Sequence, residues 1–248
     1  MKLAGKTAIV TGGGRDIGAA VAKKLASEGA DVAISYFESA KGADSVVAEI
    51  KAAGGRAIAV QADLNTQQGV DTLVAASQTA FGDGIDVLVN NAGGLVARKT
   101  IAQMDLAFWN TVMTLNLTST FMMAKACLEK MNGGAIVNIA SQAARDGGGP
   151  GSMAYATSKG AVMTMTRSLA KEVGPDVRVN ALCPGMIDTD FHNIHTPDAG
   201  RRGFEENAPL KRQGHVDDAA NAVLFLACDD SAFLTGTNID INGGMLFS

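Results

Sequence analysis

KTAIVTGGGRDIGAAVAKKLASEGA, residues 6–30, joins a short apolar run to a helical pattern through four glycines in seven residues. The run 6–11 has strand character. The pattern 17–29 repeats at helical spacing and closes on Gly29, where a helix C-terminal glycine belongs. A strand feeding a helix through a tight turn is the first half of a βαβ unit. Glycines in that turn let backbone N–H groups approach a pyrophosphate, and the helix directs its positive dipole end at the same anion. A ligand-free βα turn needs fewer glycines than this, so the stretch predicts a dinucleotide site built on Gly12, Gly14, Arg15, Ile17 and Gly18.

Asp16 stands where such a turn usually carries glycine. Its carboxylate would repel bound phosphates. Asp is also a good N-cap, its charge suits a helix start, and Arg15 is at hand to pair with it. The expectation is that Asp16 caps the helix and points away from the phosphates.

The rest of the chain repeats the opening unit. Strand-like runs fall at 31–36, 56–61, 85–90, 134–140, 176–182 and 237–241. Helical patterns fill 40–53, 66–82, 103–131, 154–174 and 216–228. Several strands are nearly continuous in Val, Ile and Ala, as in strands covered on both faces. Together they predict an α/β doubly wound, seven-stranded parallel sheet with helices on both faces. No linker or fixed-period repeat divides residues 1–248, so one domain is expected. The polar, irregular stretch 185–213 reads as a substrate lid.

The 248 residues carry a net charge of −4, 47% hydrophobic and 19% charged residues. Lys and Arg are scattered, which argues against a nucleic-acid partner. The N-terminal apolar run reads as a strand rather than a leader, and no segment reaches the ~18 apolar residues of a membrane span. Cys127, Cys183 and Cys228 are widely spaced and lack CxxC, so reduced, buried thiols in a cytoplasmic protein are expected, with neither disulfides nor a metal site.

Chemistry-bearing residues follow in order. Asn90-Asn91-Ala92-Gly93 succeeds the fourth strand, Asn116 lies within a helical pattern, Ser141 follows the fifth strand, and Tyr155 and Lys159 share one helical face. A free phenol titrates near ~10. A neighbouring ammonium lowers that value and suits the phenol to general acid–base work on a carbonyl or alcohol oxygen. Taken singly, Ser141 is also a strand-end hydroxyl, Asn116 a kink residue and Asp63 a turn cap. In this order and company they are far less ordinary.

From TGGGRDIG through NNAG, YATSK and Pro184-Gly185 to Asn242-Gly243-Gly244, the chain resembles a short-chain dehydrogenase/reductase over essentially its whole length. The resemblance implies a Rossmann-type fold and hydride transfer between a nicotinamide cofactor and a carbonyl or alcohol carbon. It implies Tyr155 as proton donor or acceptor, Lys159 tuning it and holding the nicotinamide ribose, Ser141 bonding the substrate oxygen, and Asn116 anchoring a water of the proton relay. Asp63 and Leu64 would border the adenine, Asn90, Ala92 and Gly93 the cleft, and Pro184, Gly185, Ile187 and Thr189 the nicotinamide. Members are commonly tetramers, so a homotetramer is expected. A non-catalytic sensor of this fold would usually have lost the Tyr or the Lys.

The second strand ends on Tyr36 rather than an acid that would hold ribose hydroxyls. With Arg15 and Lys41 nearby this favours NADP(H); Glu38 keeps NAD(H) open. The loop 145–151 is one residue longer than in many members. Reduction of 3-oxoacyl chains on acyl carrier protein is the natural first substrate guess, but Asn132 and Asp176 occupy places where the resemblance implies basic docking residues. Arg145, His192, His195, Arg201 and Arg202 on the expected rim favour a small, polar carbonyl compound, neutral or anionic: a keto sugar, sugar acid or hydroxy acid.

Overall fold

The computed structural model describes residues 1–247. Seven strands form one parallel sheet: β1 (Thr7–Val10), β2 (Asp31–Tyr36), β3 (Ala57–Gln61), β4 (Val87–Asn90), β5 (Gly134–Ile139), β6 (Val177–Pro184) and β7 (Asn238–Ile241). Their order is β3-β2-β1-β4-β5-β6-β7. The winding therefore reverses between β1 and β4, and a doubly wound sheet opens a crevice at the carboxyl ends of its strands there. This is the expected Rossmann-type architecture.

Helices α1 (Asp16–Ser27), α2 (Ala40–Ala52) and α10 (Val216–Ala227) cover one face, with Val21, Leu25, Val223 and Leu226 packed against Val10, Ile34 and Leu182. The other face holds α3 (Gln67–Phe81), the long 106–128 helix and α7 (Met153–Val173), with Leu73 and Met123 against Ile9, Leu88 and Ile136. Residues of β1, β2, β4 and β5 alternate between the two cores, which is why these runs are apolar throughout. The three cysteines are buried and unpaired, as expected. No described helix is long and apolar enough to cross a membrane.

Two elements differ from expectation. The 103–131 pattern is α4 (Leu106–Met113) and α5 (Ser119–Leu128) joined by a π turn at Thr114–Thr118, with buried Asn116 in the middle. Sequence periodicity does not register one inserted residue, so the pattern reads as one helix. The stretch 185–213 is not irregular throughout: it carries α8 (Asp190–His195) and α9 (Asp198–Asn207). Short helix α6 (Ala143–Asp146) precedes the 147–151 loop.

Candidate active site

A cleft of about 910 Å³ runs along the carboxyl ends of the strands. At its centre Gly12 takes a positive φ of 64°. A Cβ on Gly18 would come within 2.2 Å of the Gly12 carbonyl oxygen, so only glycine lets α1 start this close to the turn. The Thr11 hydroxyl accepts the N–H groups of Asn91 and Ala92, both at 2.9 Å, and so fastens the β1 turn to the β4 turn. The Asn91 amide donates to the carbonyls of Thr11 and Gly12. In the sequence, the signal of this buckle is the Thr before the glycines together with the second Asn of NNAG.

Gly12, Arg15, Asp16, Ile17, Gly18, Tyr36, Asp63 and Leu64 line one end of the cleft. Ala92, Gly93, Ser141, Tyr155, Lys159, Pro184, Gly185, Ile187 and Thr189 line the rest. Asp63 also accepts the Asn65 N–H at 3.0 Å, so the turn-cap role holds alongside cleft lining. Two expected lining residues sit behind the wall. Gly14 packs against Ser39 and Ala43, and Asn90 is buried with its amide donated to Asn138 at 2.9 Å. A free helix start, room for a long ligand and tyrosine at the β2 end fit a dinucleotide.

Asp16 does not cap α1. The N-cap is Arg15, with no side-chain cap bond, and Asp16 is left-handed at φ 51°. Its Oδ1 accepts the N–H of Asp190, at the start of α8, at 3.1 Å and its Oδ2 pairs with Arg15 at 3.2 Å. The carboxylate is occupied by these partners and still borders the cleft.

The central side chains come from two elements. Ser141 follows β5, and its Oγ accepts the Ala143 N–H at 3.2 Å. Tyr155 and Lys159 sit one turn apart on α7, with the Lys159 Nζ 5.9 Å from the phenol ring centre. Nζ donates to the Ile139 carbonyl at 2.7 Å. Burial lowers the Lys159 pKa to about 8. Burial raises that of Tyr155, and its contact with Ser141 works the other way. In the cofactor-free protein the phenol is set by burial and Ser141, and the Lys159 Nζ is turned to a carbonyl.

Asn116 commits its side chain to the wall. Its Oδ1 accepts the Gly94 N–H, and its Nδ2 donates to the Gly94 and Val112 carbonyls, all at 2.9 Å. A Cβ on Gly93 would meet Asn116 Oδ1 at 2.6 Å and Lys159 Nζ at 3.2 Å, so glycine is required between them.

The expected anion clamps are mostly engaged elsewhere. Arg145 turns away from the cleft, its Nε pairing with Asp240 at 2.7 Å and its Nη2 donating to the Asn238 carbonyl at 2.9 Å. Arg201 is held by Asp188, Asn193 and Gln213. His192 does line the cleft, but burial and nearby Arg201, Arg98 and His195 push its pKa down to about 4, so it is neutral near pH 7. The Phe191 ring packs on Tyr155 at 5.9 Å and on His192 and His195 at 5.1 Å.

A parallel sheet with a glycine turn at its switch point defines a Rossmann-type nucleotide-binding architecture. Comparison with known proteins narrows the class. A family model described as enoyl-(acyl carrier protein) reductase matches residues 12–246. A 3-oxoacyl-[acyl-carrier-protein] reductase of Synechocystis sp. is 40% identical over 250 residues, with 98% of each chain covered. A short-chain dehydrogenase of Burkholderia cenocepacia, solved with NADP, is 37% identical at a TM-score of 0.92, with 99% of each chain covered. A blue fluorescent protein from a metagenomic library, solved with NADPH, is 36% identical at a TM-score of 0.92, with 100% of each chain covered. The chain belongs to the short-chain dehydrogenase/reductase family of oxidoreductases.

Proposed function

We propose that this protein is an NADP(H)-dependent oxidoreductase acting on a small, polar carbonyl or alcohol substrate, neutral or anionic. The observation that carries the reading is the convergence of Ser141, Tyr155 and buried Lys159 in the same cleft as the glycine turn. NADP(H) is favoured by the absence of an acid at the end of β2 and by the exposed Arg15 there, and two similar structures hold this cofactor.

The bound cofactor supplies or accepts the hydride. Tyr155 gives its phenolic proton to the carbonyl oxygen on reduction and takes one from the hydroxyl on oxidation. Ser141 holds that oxygen. Lys159 binds the nicotinamide ribose; a cofactor there gives Nζ a second partner besides the Ile139 carbonyl. Asn116 fixes the Gly93–Gly94 turn that lines the cleft where the cofactor would lie. Retention of both Tyr155 and Lys159 favours turnover over a sensor role.

The Synechocystis relative favours a second reading, reduction of 3-oxoacyl chains on acyl carrier protein. Against it, Glu129, Asn132, Glu172 and Asp176 are exposed around the start of β5 and the end of α7, poor ground for an acidic carrier. NADPH oxidation at 340 nm decides between them. Faster turnover of keto sugars, sugar acids or oxo acids supports the first reading. Preference for a carrier-bound 3-oxoacyl chain replaces it with the second. No oxidation with either sinks both.

The reading includes a cytoplasmic, single-domain protein with a lid over 185–213, assembled as a homotetramer. Exposed Leu106 and Phe121 on the 106–128 helix, and Phe233 and Phe247 beyond α10, support assembly. Light scattering that gives the mass of one chain would remove it.

A further inference from the structure

With Arg145 and Arg201 engaged by acids, the substrate end of the cleft still contains one strong cation. Arg98 follows NNAG on the β4–α4 loop, lines the cleft and is exposed. It forms no ion pair among the described residues. Two backbone carbonyls hold it instead: Nε donates to His195 at 3.1 Å and Nη1 to Pro150 at 2.8 Å. Carbonyls orient a guanidinium without cancelling its charge, and Nη2 keeps both of its N–H groups free.

The loop beneath Arg98 is shaped for it. A Cβ on Gly151, whose φ is 75°, would come within 3.0 Å of Arg98 Cβ, and one on Gly149 within 3.3 Å of Nη1. This is the glycine-rich 145–151 loop that carries one residue more than in many family members. The acid at this end, Asp146, accepts the Gly148 N–H and the Gln142 amide rather than Arg98. His192 and His195, beside Arg98, both have depressed pKa values and add no competing charge near pH 7.

We propose that Arg98 determines specificity by receiving the carboxylate of the substrate while the substrate carbonyl lies against Tyr155 and Ser141. The inference rests on the reading of Tyr155 and Ser141 as the reacting end. A guanidinium pre-set by two carbonyls presents a planar fork to a carboxylate at little cost in side-chain entropy. An exposed arginine used only as a staple between loops would show no preference for charge in the ligand.

The test compares oxo acids, with the carbonyl from two to six carbons along the chain, with their methyl esters in NADPH oxidation. Wild type is expected to prefer at least one acid to its ester by about 30-fold in kcat/KM, the size of one charge-assisted bidentate contact. Arg98→Gln should bring that ratio near one, mainly through KM, and Arg98→Lys should restore part of it. Calorimetric binding of the same acids to the NADPH complex gives the same comparison without turnover. Equal use of acid and ester by wild type overturns the proposal, as does an acid preference that survives Arg98→Gln. If wild type oxidises NADPH with none of these compounds, nor with keto sugars or sugar acids, the proposed function fails, and calorimetry still reports on Arg98.

Discussion

The floor of the cleft and its lid are built on different principles. Floor residues sit on strand ends and long helices, and their partners are buried backbone groups: the Gly94 amide and carbonyl for Asn116, the Ile139 carbonyl for Lys159. Lid residues sit on two short helices, and their partners are other side chains at the surface, such as Asp188 for Arg201. Rigid elements hold a reacting group to a fraction of an ångström, whereas exposed pairs contribute little and rearrange easily. Chemistry fixed below and selectivity adjustable above is the division this contrast teaches.

Replacing floor residues should therefore cost most. Lys159→Met keeps bulk but removes the ammonium, and kcat/KM should fall by about 100-fold or more. With the Lys159 pKa at about 8, the cofactor-free protein loses this charge as pH rises through that value. The pH profile of kcat/KM for NADPH should accordingly fall on its alkaline side, and Lys159→Met should lack that limb. A limb that persists in the variant assigns the titration to another group.

Asn116→Ala comes next. It leaves the N–H and carbonyl of Gly94 without partners and should lower stability by about 2–4 kcal/mol in denaturant unfolding. A loss below about 0.5 kcal/mol would mean the π turn holds without it.

Arg145→Ala breaks a half-buried pair behind the floor and should destabilise by about 2 kcal/mol, less than a fully buried pair would cost. The sharper observation is its selectivity. Acid and ester substrates should be affected alike, because Arg145 faces Asp240 and not the cleft.

Lid variants should be mildest. Asp16→Gly releases Asp190, so hydrogen exchange should quicken at 190–195. NADPH affinity should change less than about tenfold, because the carboxylate is already engaged by Asp190 and Arg15. Tightening beyond tenfold would show that it opposes the phosphates. Arg201→Ala, on a pair whose Asp188 end is exposed, should cost about 1 kcal/mol in a thermal melt.

The same contrast explains what was legible in the sequence. The seven strands, the glycine turn and the order of Asn116, Ser141, Tyr155 and Lys159 are carried by periodicity and spacing, which depend on backbone geometry alone. The π turn was hidden because one extra residue leaves helical periodicity nearly intact. Asp16 looked like a cap because Asp at a helix start usually is one; its partner, Asp190, lies 174 residues away. Arg145 and Arg201 looked free because a sequence does not show which acid a long, flexible side chain will meet. Arg98 stands alone in the sequence, and its two carbonyl partners, at the end of α8 and in the 147–151 loop, are distant in the chain.

The central claim is that Tyr155 delivers the proton at the cleft floor, and a single-turnover measurement with bound NADPH tests it most directly. Tyr155→Phe should still bind NADPH, seen by nucleotide fluorescence, while oxidation of that NADPH by a carbonyl substrate, followed at 340 nm, slows by about 100- to 10,000-fold. Oxidation at the wild-type rate by the NADPH-loaded variant would contradict the account.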